Sequence, residues 1–140
     1  MTRPEPLPFG ATIGILGGGQ LGRMSAMAAA RLGYRTHVFS TEADSPGTQV
    51  ATSHTVAAYD DAAALGAFAA AVDVVTFEFE SVPAATLDAL AGRVLCRPGL
   101  KALAIGQDRV AEKRFLAEAG VPVGAWREVR TESDLRAAVA

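Results

Sequence analysis

The sequence predicts an α/β protein built around a mostly parallel β-sheet, and three observations support this. Short apolar runs alternate with stretches of helical periodicity. The helical stretches are each ~10 residues long, which is the length that a crossover between parallel strands requires. The run Asp73–Phe77 is continuously apolar after its first residue, as is typical of a strand buried on both faces. A chain of 140 residues, 50% of them hydrophobic, can bury one ordinary core.

The first predicted unit is a strand, a tight turn and a helix. The strand covers Thr12–Leu16 and ends at three consecutive glycines. After them, apolar residues recur at helical spacing up to Gly33, namely Leu21, Met24, Ala28 and Leu32. Residues 1–10 contain three prolines and no periodicity, so we expect an irregular extension there.

The following elements repeat this alternation as far as residue 98. Strands are expected at 35–40, 52–57, 73–77 and 94–96, and helices at 61–71 and 82–91, the second capped by Ser81. The order βαββαβαβ predicts a Rossmann-like domain over residues 11–98.

Residues 99–140 form a separate region in this interpretation. Helices are expected at 100–105 and 108–119, the second ended by Gly120, and a strand at 124–129. Thr131 and Asp134 fit a capping box for a last helix, whose pattern still continues at Ala140. We therefore expect a second domain that is begun here and not finished.

Composition argues against several classes of function. The formal charge of −2 is spread without a basic block, so neither nucleic acid nor an anionic membrane is expected as a partner. No apolar run approaches the ~20 residues of a membrane span, and no signal peptide is apparent, so we expect a cytoplasmic protein. The single cysteine, Cys96, cannot form an intramolecular disulfide. No metal-ligand spacing and no catalytic triad is apparent.

The strongest motif is Gly17–Gly22, which matches G-x-G-x-x-G between a predicted strand and a predicted helix. The N–H groups at the helix start favour a phosphate or a carboxylate. Tight packing of the helix on the sheet would also explain the glycines. A dinucleotide is less favoured, because the second strand ends without the acidic residue that holds a ribose, although Glu42 lies close enough to keep that possibility open.

A second motif, Phe77-Glu78-Phe79-Glu80, follows a buried strand at its carboxyl end, where open α/β sheets bind ligands. Carboxylates two residues apart in extended chain point to opposite sides. We expect one to face the crevice and the other to face solvent or cap the next helix. The alternative is a solvated acidic pair near a helix start.

Taken together, the motifs resemble those of N5-carboxyaminoimidazole ribonucleotide synthetases, which are ATP-grasp enzymes. The matching segments run from Thr12 to Val129 and include residues 15–24, 43–47, 76–80, 107–109 and 112–113. The related formate-dependent glycinamide ribonucleotide transformylases carry Glu where this loop has Gln20, and Pro-Glu-x-Glu later. The resemblance implies a pre-ATP-grasp domain over 11–98 and the beginning of an ATP-grasp domain over 99–140, that is, the amino-terminal part of such an enzyme.

The resemblance also implies a reaction, in which aminoimidazole ribonucleotide, bicarbonate and ATP give N5-carboxyaminoimidazole ribonucleotide, ADP and phosphate through carboxyphosphate, with Mg²⁺. Carried over to this sequence, Gly19, Gln20, Leu21 and Glu78 would hold the ribonucleotide, and Arg109 would lie near the ATP phosphates. Catalytic residues and Mg²⁺ ligands are expected beyond residue 140, and the full-length enzyme is expected to be a homodimer. The alternatives are the transformylase, an NAD-dependent oxidoreductase and a non-catalytic nucleotide-binding module.

Overall fold

Five parallel strands form one sheet in the order β3-β2-β1-β4-β5 in the computed structural model, which describes residues 6–140. The strands are β1 (Thr12–Leu16), β2 (Arg35–Ser40), β3 (Ser53–Val56), β4 (Val74–Phe77) and β5 (Leu95–Cys96). Three helices alternate with them: α1 (Gln20–Arg31), α2 (Ala62–Ala70) and α3 (Ala84–Leu90). The predicted α/β class, parallel sheet and element order are confirmed.

The strand register brings apolar side chains to both faces of the sheet. Ile15 pairs with Thr76 on one side and with Val38 on the other, and Ile15 and Val38 pack with Ala26 of α1. Leu16 and Phe39 belong to the larger cluster on the opposite face, with Phe68 of α2. Both faces of the central strands are therefore covered, as the continuous apolar pattern predicted.

The face that α1 turns to the sheet consists of small residues. Its buried residues are Gly22, Ala26 and Ala29, whereas Leu21 and Met24 are each 57% exposed. Small side chains let the helix axis approach the sheet closely, so the position of the smallest residues determines the packed face here. The helix predicted from Leu21, Met24, Ala28 and Leu32 is present, but these four residues are exposed and do not form its buried face.

Helices α2 and α3 begin in different ways. Asp61 caps α2 by accepting hydrogen bonds from the backbone N–H groups of Ala63 and Ala64. Helix α3 begins after Pro83, which is its N-cap and provides no side-chain cap, so Ser81 does not cap this helix. The irregular conformation predicted for residues 1–10 is confirmed for residues 6–10, and residues 1–5 lie outside the described part of the chain.

The chain divides into two units, the first ending at Leu103 and the second beginning at Ala104. Leu103 is buried in the larger cluster, so the first unit extends beyond the predicted boundary at residue 98. Helix α4 (Leu100–Gln107) includes this junction, and α5 (Arg109–Glu118) and α6 (Glu132–Val139) follow.

In the second unit, the predicted capping box is confirmed: Thr131 accepts from the Asp134 N–H, and Asp134 accepts from the Thr131 N–H. The strand expected at 124–129 is absent from these described residues. Of the helices within residues 6–140, none combines the length and the apolar character needed to cross a membrane.

Candidate functional site

The carboxyl ends of β1, β2 and β4 meet at one edge of the sheet. From β1 the chain continues to β2 and β3 on one side, whereas β4 and β5 lie on the other side. The order of strands thus reverses between β1 and β4, and such a reversal opens a crevice beyond the strand ends. The glycine loop follows β1 into this crevice and Glu78 follows β4 into it.

Backbone hydrogen bonds fix the beginning of both segments. The Gly17 N–H donates to the Phe39 carbonyl at 2.9 Å, and the Glu78 N–H donates to the Leu16 carbonyl at 3.1 Å. Gly17 has a φ of 111°, which the tight turn after β1 requires and which other residues rarely adopt. The sheet therefore holds the glycine loop and Glu78 side by side.

The Glu78 carboxylate lies against the glycine loop. Its Oε1 accepts from the Gly19 N–H at 2.7 Å, and its Oε2 accepts from the Gly22 N–H. Glu80 is exposed. The expectation that one carboxylate of the pair faces the crevice is confirmed, and Glu78 is that residue.

This contact decides between the two anions, phosphate or carboxylate, that the N–H groups of the loop were expected to favour. A carboxylate of the protein itself accepts from two of them, at Gly19 and Gly22. Within residues 6–140, no protein group accepts from the backbone N–H of Gln20 or Leu21, and both side chains are exposed. Only these two donors at the start of α1 remain for a ligand.

The loop after β2 packs on the glycine loop from the other side. The Gly47 N–H donates to the Gly18 carbonyl at 2.7 Å. Arg23 of α1 donates to the Pro46 carbonyl at 3.2 Å and to the Gln49 side chain at 3.0 Å. The segment Ala43–Gly47 was identified only as one of those that carry the family resemblance, and its position depends on contacts that the sequence spacing does not reveal.

A pocket of about 190 Å³ lies between these segments. It is lined by Gly18, Gly19, Ser40, Thr41, Glu42, Ser45, Pro46, Tyr59, Glu78 and Phe79. Sequence reasoning identified Gly19 and Glu78 but missed Ser40, Ser45 and Tyr59. Ser40 could have been found, because it is the last residue of a strand that ends at the ligand-binding edge.

Tyr59 adds a protonated hydroxyl to this pocket. Burial, together with a smaller effect of the nearby negative charge of Glu78, raises the pKa of Tyr59 to about 12. The pocket is therefore lined by hydroxyl donors and by two carboxylate acceptors, Glu42 and Glu78. Among the described residues that line it there is no lysine or arginine.

Arg109 belongs to the second unit, at the first position of α5. Its guanidinium pairs with Glu112 one turn along, and its side chain is 77% exposed. Asp108 caps the helix by accepting from the N–H groups of Val110 and Ala111. The role of Arg109 near ATP phosphates stays a prediction.

The remaining titratable side chains do not form a second site in the part of the chain that the structure describes. His37 bonds to the Thr55 hydroxyl at 2.8 Å inside the sheet, and burial, with a smaller contribution from His54, lowers its pKa. Burial raises the pKa of the Cys96 thiol. No group of three or more His, Cys, Asp or Glu side chains among residues 6–140 could hold a metal ion.

Comparison with known families agrees with this geometry. Residues 10–107 match the family model described as the ribonucleotide synthetase preATP-grasp domain. The chain belongs to this family. The matched range contains the whole sheet, the glycine loop and Glu78, so the candidate site lies within the family domain.

Several known proteins are similar to this chain. The N5-carboxyaminoimidazole ribonucleotide synthase of Brucella melitensis is 54% identical over 130 residues, which are 93% of this chain and 36% of the relative. The ADP complex of N5-carboxyaminoimidazole synthetase from Staphylococcus aureus has a TM-score of 0.83 at 40% identity, over 95% of this chain and 36% of that one.

A third similar protein was solved with a substrate. The N5-carboxyaminoimidazole synthase of Aspergillus clavatus, in complex with ADP and 5-aminoimidazole ribonucleotide, has a TM-score of 0.77 at 31% identity. The aligned region covers 91% of this chain and 35% of the Aspergillus clavatus protein. The chain thus spans about a third of the length of the relatives it matches.

Proposed function

We propose that this chain is the ribonucleotide-holding part of an N5-carboxyaminoimidazole ribonucleotide synthetase. Such an enzyme carboxylates 5-aminoimidazole ribonucleotide with bicarbonate and ATP, in purine biosynthesis. The observation that carries the proposal is the pocket at the strand reversal, where hydroxyls and carboxylates converge beside two open backbone N–H groups. Membership of the ribonucleotide synthetase preATP-grasp domain family supports the choice of a ribonucleotide.

The chemistry of the pocket suits the uncharged part of this substrate. Glu78 gives one lone pair of each oxygen to the loop, and a carboxylate oxygen can accept a second hydrogen bond. It can therefore also accept from the exocyclic amine of the aminoimidazole. Ser40, Tyr59 and Glu42 offer partners for ribose hydroxyls.

The volume of the pocket limits how much of the ribonucleotide it can enclose. Pockets that enclose a whole small-molecule ligand usually measure ~300 Å³ or more. A pocket of about 190 Å³ is suited to the base or the ribose alone. The rest of the ribonucleotide would extend beyond it.

In the whole enzyme, ATP would phosphorylate bicarbonate to carboxyphosphate and release ADP. The amine of the ribonucleotide would then attack the carboxyl carbon and release phosphate. This chain would bind and orient the attacking amine, and Arg109 would serve the ATP side. The ligands of Mg²⁺ would be residues other than the described ones. A homodimer is the expected assembly of the full-length protein.

The test is calorimetric titration of the 140-residue chain with aminoimidazole ribonucleotide, using a matched pair of variants. Tyr59→Phe removes the pocket hydroxyl and keeps the ring, whereas Tyr34→Phe removes a hydroxyl that donates to the Leu7 carbonyl outside the pocket. One lost hydrogen bond of about 1 kcal/mol would weaken binding roughly five-fold in Tyr59→Phe. Equal affinity of both variants and the unsubstituted chain would contradict the placement of the substrate.

A further inference from the structure

The Glu78 carboxylate occupies the place at the start of α1 where a glycine-rich loop of this kind usually receives a phosphate. In such loops the unpaired N–H groups and the helix dipole attract an anion. Here the anion is part of the protein, with one oxygen on the Gly19 N–H and the other on the Gly22 N–H. Both oxygens of the carboxylate are engaged.

The glycines of the motif are explained by this carboxylate. A Cβ added at Gly19 would lie 2.8 Å from Glu78 Oε1, and a Cβ added at Gly22 would lie 2.8 Å from Oε2. A Cβ at Gly17 would meet the same side chain. Contacts within the protein therefore account for glycine at all three positions. Glu78 contributes at each of them, together with the φ of 111° at Gly17 and the Gly17 carbonyl oxygen at Gly22.

The charge around the pocket points the same way. Its described lining residues include two carboxylates, Glu42 and Glu78, and no cation. A phosphate placed against the loop would lose two of its N–H donors and would lie beside a negative charge at short range. An amine or a hydroxyl placed there would instead be attracted by that charge.

We propose that Glu78 is a positioning residue that serves as a built-in anion for the glycine loop, so that the Gly19 and Gly22 N–H groups bind no phosphate. Glu78 thereby fixes the loop and directs the N–H groups of Gln20 and Leu21 toward the ligand. If the chain holds a ribonucleotide, as proposed above, the phosphate of that ribonucleotide is not bound by these two N–H groups. Only this last statement depends on the proposed function.

The first experiment uses amide NMR of the 140-residue chain without ligand. In Glu78→Gln, one of the two N–H donors faces an NH₂ group and the charge is lost. Hydrogen exchange at Gly19 and Gly22 should then be roughly ten-fold faster or more, because a hydrogen bond to a charged group is lost. Glu80→Gln removes an equal charge two residues away, where the side chain is exposed, and should leave both amides unchanged.

The second experiment adds inorganic phosphate, with sodium chloride at the same ionic strength as the control. The Gly19 and Gly22 amide signals of the unsubstituted chain should not respond. Glu78→Ala frees the Gly19 and Gly22 N–H groups, so phosphate should shift both amide signals and raise the melting temperature of this variant. A purely structural role of Glu78 would not produce this recovery.

Three outcomes would overturn the proposal. They are phosphate-dependent shifts of Gly19 and Gly22 in the unsubstituted chain, unchanged exchange of these amides in Glu78→Gln, and no response of folded Glu78→Ala to phosphate. If Glu78→Ala does not fold, the other two still decide. None of these measurements uses aminoimidazole ribonucleotide, so failure here is distinguishable from failure of the proposed function.

Discussion

Substituting Gly22 by alanine tests whether the glycine loop and Glu78 act as one unit. In a helix, Gly→Ala normally stabilises by ~1 kcal/mol. At Gly22, however, the new Cβ would lie 2.6 Å from the Gly17 carbonyl oxygen and 2.8 Å from the Glu78 carboxylate. Because the first neighbour is backbone inside a tight turn, it cannot move aside easily.

The expected magnitude follows from two losses and one gain. Overpacking of a buried site costs about 1–3 kcal/mol, and loss of a hydrogen bond to a charged group costs about 1.5–3 kcal/mol. Subtracting the gain in helix propensity of ~1 kcal/mol leaves a net destabilisation of roughly 1.5–5 kcal/mol. This is a large share of the stability of a small domain.

The assay is urea unfolding followed by circular dichroism, with Gly66→Ala as the control. Gly66 is also helical and in the same unit, but its added Cβ would meet only the Arg93 guanidinium, at 3.2 Å. Arg93 is exposed and can move, so Gly66→Ala should be neutral or stabilising by up to ~1 kcal/mol. If Gly22→Ala were as stable as Gly66→Ala, the close fit of the loop around Glu78 would be refuted.

Three further predictions concern other parts of the chain. Burial, with a smaller contribution from the charge of His54, lowers the pKa of His37, so the folded state should lose stability as the pH falls below 6.5. His37→Gln should make the midpoint of urea unfolding depend less on pH in this range. An unchanged pH dependence of the midpoint in this variant would contradict the prediction. Arg23→Ala should speed hydrogen exchange of the Gly47 amide by releasing the Pro46–Gln49 segment, whereas Arg31→Ala in the last turn of the same helix should not. Thr131→Ala should return the lowered pKa of Asp134 toward its ordinary value, because the hydrogen bond with Thr131 is the largest cause of the shift, and carboxyl NMR titration would detect this.

Much of the first unit could be predicted from the sequence, because periodicity is a local property. The strand Asp73–Phe77 and the strand–turn–helix at Thr12–Arg31 were recognisable from neighbouring residues alone. The glycine loop and Glu78 could each be placed at the ligand-binding edge of a parallel sheet for the same reason.

What could not be predicted depends on the packing of distant segments. Gly22, Ala26 and Ala29 form the buried face of α1, because close approach of the helix to the sheet favours small side chains. The hydrophobicity of single residues does not indicate this, since the larger apolar residues of α1 are exposed. The strand expected at 124–129 rested on residue preference alone, and a strand forms only where another strand pairs with it.

The role of Glu78 was only half visible for the same reason. The sequence indicated a carboxylate facing the crevice, but the hydrogen bonds to Gly19 and Gly22 join residues 59 and 56 positions apart. Neither the glycine motif nor the Phe77–Glu80 motif reveals by itself that Glu78 binds the N–H groups of the glycine loop. The contact also explains why a G-x-G-x-x-G sequence occurs here in a site that suits an amine rather than a pyrophosphate.

The central claim is that this chain holds an aminoimidazole ribonucleotide at the reversal between β1 and β4. It is tested most directly by calorimetric titration of the unsubstituted chain with aminoimidazole ribonucleotide, glycinamide ribonucleotide and NADH in parallel. The account predicts selective heat from the aminoimidazole nucleotide, with chemical-shift changes at the Gln20 and Leu21 amides. Tighter binding of glycinamide ribonucleotide or of NADH, or binding that leaves those two amides unchanged, would contradict it.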